Sequence, residues 1–401
     1  MPGDLQIAAV AIDDGAVGNY RVKGPLKELH NKRKAEVWTT EHEKLSVDGL
    51  GMFGKIMPHV DVLVFQRPHF PGVINLMEFM KNDKDQLVVF ECDDELWSTH
   101  PLSPHYREMG LKEFYLTVDE ARAMGVPEKD IKKNKKGNKF YIHRDGKNGF
   151  NIEKNKERLH NYARALSSAH LITTTNPILA DRFAEVAQEY GNKNPVVAVL
   201  PNCLDLKRWK PVEIVKPTDE IRILWQGGSS HYYDLLSVIK PLQEVLKKYP
   251  NVKLVLSGQS FPGIEKAFPK NQVISDAYWT HFDAHSYRTA LQGADIGICP
   301  LVDNPFNRCK SDIKFTEYSA LKMAVVAADI PPYSPSIEHG KTGFLAKNQD
   351  EWVKHLSALV ENEKLRKTTG ENARKWVEEH RNLEKSAGLW IDAYNKAIEN
   401  K

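Results

Sequence analysis

Short apolar runs alternate along the first half of the chain with amphipathic helical patterns: 5–12 (LQIAAVAI), 60–65 (VDVLVF), 86–91 (QLVVFE), 171–174 (LITT) and 196–200 (VVAVL). Such alternation predicts a parallel sheet covered by helices. The second half repeats the theme at 221–225, 252–257, 295–299 and 324–328, with helical patterns over 231–248 and 309–322. Two similar α/β units in tandem are expected, joined by WKPVEIVKPTDE at 209–220, where prolines and charges suit a linker. Helical patterns at 349–360, 363–379 and 384–399 close the chain. Residues 98–155 carry much charge and little apolar periodicity, and they read as an excursion from the first sheet.

A chain of 401 residues with 41% hydrophobic residues has material for two or three cores. Cys92, Cys203, Cys299 and Cys309 lack CxxC spacing, so neither a zinc knuckle nor a disulfide framework is indicated, and a reducing cytoplasm is expected. No apolar run reaches the roughly 18 residues needed to span a bilayer. The opening MPGDLQIAAVAIDDG reads as a first strand rather than a signal peptide. The net charge of +3 decides little, but its distribution is uneven. Between 132 and 147, Lys132, Lys133, Lys135, Lys136, Lys139, Arg144 and Lys147 face Asp145 alone.

Chemistry concentrates between Ala294 and Leu345. A strand is followed by a loop with Arg308, Lys310 and Ser311, then by a helix on which Lys314 and Glu317 share a face. Cationic side chains and helix-start N–H groups neutralise a diphosphate, and a carboxylate accepts hydrogen bonds from a ribose diol. Upstream, Gly227 and Gly228 follow a strand and precede a helix, where small residues let backbone approach phosphate; His231 then either donates to a phosphate oxygen or caps the helix. In the first half, Gly15 and Gly18 follow the first apolar run and precede Tyr20 and Arg21, and Arg67 stands at another strand end. Asp93 and Asp94 lie in an acidic cluster after a strand, and three readings stand: a helix N-terminus, a metal site, or cleft residues that position hydroxyls. Absence of HExxH, Gly-x-Ser-x-Gly and Walker A patterns removes zinc-hydrolase, serine-hydrolase and P-loop readings.

Taken together, GAVGNYRVKGPLKEL from Gly15, FECDDELW from Phe90, PNCLDLKRWKP at 201–211, WQGGSSHYYDLL and KFTEYSALKMAVVAAD resemble GT-B glycosyltransferases of the family-four type. The resemblance covers nearly the whole chain and implies an α/β GT-B fold, two Rossmann-like domains facing across a cleft. The implied division is 1–208 for the acceptor domain, with its insertion at about 98–155, 209–385 for the donor domain, and 386–401 for a helix crossing back. Many members carry two glutamates separated by seven residues; here Cys309 stands in the first position, within a Lys-Ser-x-x-Lys-x-x-Glu arrangement of Lys310, Ser311, Lys314 and Glu317.

The resemblance implies transfer of a sugar from a nucleotide donor, a UDP-sugar by family frequency, with no further cofactor, no metal and retention of anomeric configuration. Asp93, Asp94 and Lys310 are the expected catalytic groups. Gly227, Gly228, His231, Arg308, Lys310, Ser311, Lys314 and Glu317 are expected to bind the donor, and Gly15, Gly18, Tyr20, Arg21 and Arg67 to line the acceptor side. The Asp-Asp-x-Leu-Trp segment is similar to a branch with phage-encoded members. With the basic segment, it makes a hydroxymethylated base in DNA the expected acceptor, in the cytoplasm of a host cell, through a flipped nucleotide. A cell-envelope polysaccharide or lipid-linked glycan is the alternative acceptor, and a non-catalytic sugar-nucleotide or nucleic-acid binding protein the third reading.

Overall fold

The computed structural model describes residues 5–401, apart from 43–50, 84–85, 124–125, 127, 212–216, 218, 259–261 and 277–292. Much of the linker expected at 209–220 therefore lies outside the described residues. Two six-stranded parallel sheets form the frame. The first comprises β1 (Leu5–Ala11), β2 (Ala35–Glu41), β3 (Val62–Gln66), β4 (Leu87–Glu91), β8 (Leu171–Thr174) and β9 (Val196–Val199), in the order β2-β1-β3-β4-β8-β9. The second comprises β10 (Ile221–Gly227), β11 (Val252–Gly258), β12 (Val273–Asp276), β13 (Ile296–Cys299), β14 (Ala324–Ala328) and β15 (Phe344–Ala346), in the order β12-β11-β10-β13-β14-β15. The parallel α/β architecture read from the apolar runs is present in both halves.

Strands β3 and β4 are buried at every position because helices cover both faces, which is why they read as continuous apolar runs. Alternate side chains go to opposite faces: Leu63, Phe65, Val88 and Phe90 enter one core, Val62, Val64, Leu87 and Val89 the other. Trp390, Tyr394 and Ala397 of helix Gly388–Glu399 complete the second of these cores, so the end of the chain covers the first sheet. Among the described residues, no helix is long and apolar enough to cross a membrane.

Strand order reverses at β1, which lies between β2 and β3, and at β10, which lies between β11 and β13. At such a switch point the connections leave in opposite directions and open a crevice at the carboxyl ends of the strands. Both glycine loops sit there, one after β1 and one after β10.

Two helices differ from the sequence pattern. The pattern over 231–248 is split into Tyr232–Leu236 and Ile239–Lys248, because Pro241 has no N–H for the Ser237 carbonyl and Ser237 Oγ takes the Asp234 carbonyl at 2.6 Å. The pattern over 309–322 yields a turn at Pro305–Arg308 and a helix only from Ile313 to Ala320. Here Asn176 Nδ2, from the first domain, donates to the carbonyls of Cys309 and Lys310 at 2.6 and 2.9 Å, so a helix does not continue through them.

The excursion at 98–155 is folded. β5 (Phe114–Thr117), β6 (Lys135–Lys136) and β7 (Lys139–His143) form an antiparallel sheet over a small core of Val118, Ala121, Ile131 and Phe140.

Candidate active site between the two sheets

Gly18 belongs to the turn after β1, where an added Cβ would lie 2.1 Å from the Asp13 carbonyl oxygen; only glycine fits. The turn aims Tyr20 across the cleft, where its hydroxyl donates to Glu317 Oε1 at 2.6 Å. On the facing sheet, a Cβ at Gly227 would lie 2.6 Å from the Trp225 ring, while Gly228 faces open space. Tyr20, Gly227, Gly228, His231, Ser311, Lys314 and Glu317 line one cavity of about 170 Å³, together with Asp93 and Asn202.

Lys314 is the electrostatic centre of this cavity. It is 7% exposed, and its Nζ has no hydrogen-bond partner among the described residues. Burial lowers its pKa to about 8, and Lys310 pushes in the same direction. Asp234 and Glu317 act in the opposite direction, but neither hydrogen-bonds the ammonium, and a buried ammonium without such a bond is costly. His231 is half-buried, with Nδ1 2.9 Å from Asp234 Oδ2. Burial and the nearby Lys314 and Lys310 hold its pKa well below the ordinary histidine value, so the ring is neutral.

Lys310 reaches back to the first domain, its Nζ 3.5 Å from Asp94 Oδ1. Arg67 pairs with both Asp93 and Asp94 from a left-handed backbone position, φ 48°. Burial alone would raise the Asp94 pKa, but Lys310 and Arg67 outweigh it and hold the carboxyl below its usual range. Asn202 Nδ2 donates to Ser311 Oγ at 3.0 Å. With the bonds from Asn176 and Tyr20, the contacts of the first domain converge on the strip Cys309–Glu317.

Two residues expected in the donor and acceptor walls are elsewhere. Arg21 is 1% exposed, its guanidinium bound to Glu91 at 2.7 and 3.0 Å, to the Leu200 carbonyl and to Asn202 Oδ1 at 3.1 Å. It faces the interior because the turn that directs Tyr20 into the cleft directs its neighbour under the sheet. Arg308 is exposed and paired with Asp303 at 2.5 and 2.8 Å, outside the Lys314 cavity. It lines a second interdomain cavity of about 680 Å³, with Glu95, Trp97, Asp181, Arg182 and Asp303.

The remaining basic residues are not brought to the Lys314 cavity. Lys132 and Lys133 end helix Glu128–Asn134, Lys135, Lys136 and Lys139 are exposed on the small sheet, and Arg144 and Lys147 follow it. Sequence reasoning missed Asp234, Asn176 and Asn202. Asn176 before Pro177 was legible as a helix cap, but nothing local signals its bonds to the other domain. Among the described residues, no group of three or more His, Cys, Asp or Glu is arranged to hold a metal ion.

Residues 208–376 match the family described as glycosyl transferases group 1. The matched stretch lies within the second half of the chain. The protein is accordingly an enzyme of the glycosyltransferase class. No curated protein matches the chain in sequence. Among solved structures, it is similar to sucrose-phosphate synthase from Thermosynechococcus elongatus, with 14% identity, TM-score 0.63, and coverage of 99% of this chain and 100% of that one. It is also similar to Anabaena HepE in complex with UDP, with 12% identity, TM-score 0.58, and coverage of 98% and 100%. TarM of S. aureus aligns at 15% identity and TM-score 0.51, over 83% of this chain and 54% of TarM. Likeness at such identities establishes the fold, and the fold is GT-B. The elements from β10 to helix Ile313–Ala320 all lie within the matched residues.

Proposed function

We propose that the protein is a retaining, UDP-sugar-dependent glycosyltransferase in which residues 1–208 hold the acceptor, 209–385 the donor, and 386–401 close back on the first domain. The observation that carries this reading is the buried, unpartnered ammonium of Lys314 beside Gly227 and Gly228. A diphosphate supplies the missing anion, and HepE, of the same fold, is known in complexes with UDP and UDP-glucose. In this reading Lys314, Lys310, His231 and the backbone N–H groups at Gly227 and Gly228 hold the diphosphate, and Glu317 accepts from the ribose hydroxyls. Asp93 and Asp94, fixed by Arg67, orient hydroxyls on the reacting side. The acceptor oxygen attacks the anomeric carbon, the bond from that carbon to the phosphate oxygen breaks, and the departing phosphate takes the hydroxyl proton on the same face.

For the acceptor we favour a hydroxymethylated base in phage-type DNA, modified in the cytoplasm. The small sheet presents cations against aromatic faces: Lys139 Nζ is 4.0 Å above the exposed Tyr115 ring, and Arg144 is 5.5 Å from the Tyr141 ring. Such a surface suits a phosphate backbone and unstacked bases. One observation favours a cell-envelope glycan instead. The 680 Å³ cavity joins the Trp97 ring to the carboxylates of Glu95, Asp181 and Asp303 and to Arg182 and Arg308, groups suited to sugar hydroxyls.

The test is nucleotide release from UDP-, GDP- and ADP-sugars with hydroxymethylated duplex DNA, unmodified DNA, or no acceptor. Release stimulated by hydroxymethylated DNA alone, with a matching mass gain on the base, is the expected result. Release indifferent to DNA keeps the transferase and moves the acceptor to the glycan reading. No release from any donor, together with no binding of any nucleotide, removes the proposal.

A further inference from the structure

Asp234 carries no exposed surface, yet each of its oxygens is used. Oδ2 faces His231 Nδ1 at 2.9 Å, while Oδ1 accepts from the Val302 N–H at 2.9 Å and from Asn307 Nδ2 at 2.8 Å. Asn307 is in turn fixed by Tyr233, whose hydroxyl donates to Asn307 Oδ1 at 3.2 Å. Tyr233 stacks on His100 of the other domain, ring centroids 3.8 Å apart. The carboxylate is therefore immobile, and it dictates the tautomer of its partner. Nδ1 carries the proton toward Asp234, and Nε2, without one, is left for the Lys314 cavity that His231 lines.

We propose that Asp234 is a positioning residue for donor binding: it holds His231 so that Nε2 takes up a proton as the donor diphosphate arrives and then bonds a phosphate oxygen. The inference rests on the nucleotide-sugar reading of the cavity. In the free protein the groups acting on His231 are Asp234 in the helix that follows it, Lys314 and Lys310 from the second domain, and Asp94 and His105 from the first. The two lysines disfavour a third cation. A bound diphosphate reverses that balance, since it brings at least two negative charges to the same space. The proton comes from solvent on binding and returns to it when the nucleotide leaves.

The test is calorimetric titration of the full chain with UDP, GDP and ADP at pH 7.5, in buffers of differing ionisation heat, which counts the protons taken up. For wild type with the nucleotide that binds, uptake approaching one proton is expected, and affinity falling as pH rises from 7 to 9. His231→Gln removes most of the uptake, leaving the minor part due to Lys314. Asp234→Asn is the discriminating variant. Its amide N–H faces Nδ1 and shifts the imidazole proton to Nε2, so nucleotide binding persists while uptake is lost, an outcome that a merely structural role does not give. Circular dichroism melting confirms that each variant is folded; if Asp234→Asn is not, Asp234→Glu replaces it and is expected to retain uptake. Binding by wild type without proton uptake, or uptake unchanged in His231→Gln, overturns the proposal and leaves the donor reading standing. Absence of binding by all three nucleotides overturns both.

Discussion

The Tyr20 hydroxyl of the first domain donates to the Glu317 carboxylate of the second at 2.6 Å, joining the two glycine-loop regions directly across the cleft. Glu317 is buried and Tyr20 half-buried, and desolvation pushes the Tyr20 pKa well above its ordinary value, with Glu317 adding to the effect. The phenol is therefore a neutral donor at any physiological pH. If Glu317 holds the donor ribose, this hydroxyl shares the carboxylate with the ribose diol, and occupancy of the donor site is linked to how the domains meet. Removing the bond in Tyr20→Phe is expected to weaken the closed arrangement by about 1.5–3 kcal/mol, the scale of a hydrogen bond to a charged group. Small-angle scattering should show a larger radius of gyration for the nucleotide-free variant; an unchanged curve would mean that the other contacts suffice.

Lys314→Met should separate stability from activity. Replacing a buried, unpartnered ammonium by an apolar chain of similar length relieves a desolvation cost, so thermal melting should show a variant at least as stable as wild type. Nucleotide release should fall by roughly 100-fold or more, the scale for loss of one preorganised charge-stabilising group. A less stable variant with intact turnover would contradict the assignment of this lysine.

The same residue predicts a pH dependence. The folded pKa is about 8, against an unfolded value of roughly 10.4. Between these values the unfolded chain binds more protons than the folded one, so the Lys314 contribution makes stability rise with pH. Urea denaturation at pH 7.5 and 9.5 should show this gain in wild type relative to Lys314→Met; equal pH dependence in the two would mean that the ammonium is not desolvated.

Arg21→Ala is expected to be a folding defect. It leaves Glu91 buried and uncompensated, and breaking one side of a buried pair costs about 3–5 kcal/mol. The double substitution Arg21→Met, Glu91→Leu should recover much of that loss in equilibrium denaturation, because it removes both charges together.

The hairpin lysines test the acceptor. Lys135→Glu, Lys136→Glu and Lys139→Glu together should weaken DNA binding and reduce the slope of log affinity against log salt by about 3 or slightly less, if each contacts one phosphate. Fluorescence anisotropy across a salt series reads this; an unchanged slope would detach the hairpin from DNA and leave the 680 Å³ cavity as the acceptor site to pursue.

Most of the parallel strands and their order of appearance were legible in the apolar runs, because a strand buried on both faces is mostly apolar at consecutive positions; β3, β4 and β14 are of this kind. β2 was not legible. It is an edge strand, AEVWTTE, partly exposed and of mixed polarity, and β12 and β15 are short edges as well. The local sequence around Lys310, Lys314 and Glu317 determined which side chains were available, since the helix period alone sets Lys314 and Glu317 on one face. Only the tertiary structure decided their surroundings: that no hydrogen-bond partner among the described residues reaches Lys314 Nζ, that Tyr20 reaches Glu317 over 297 residues of chain, and that Asn176 stops a helix in the other domain. It also decided that Arg21 lies under the sheet while its neighbour Tyr20 enters the cleft. Hydrophobic periodicity is a property of neighbours along the chain, whereas burial of a charge and the identity of its partner depend on which distant segments the switch points bring together.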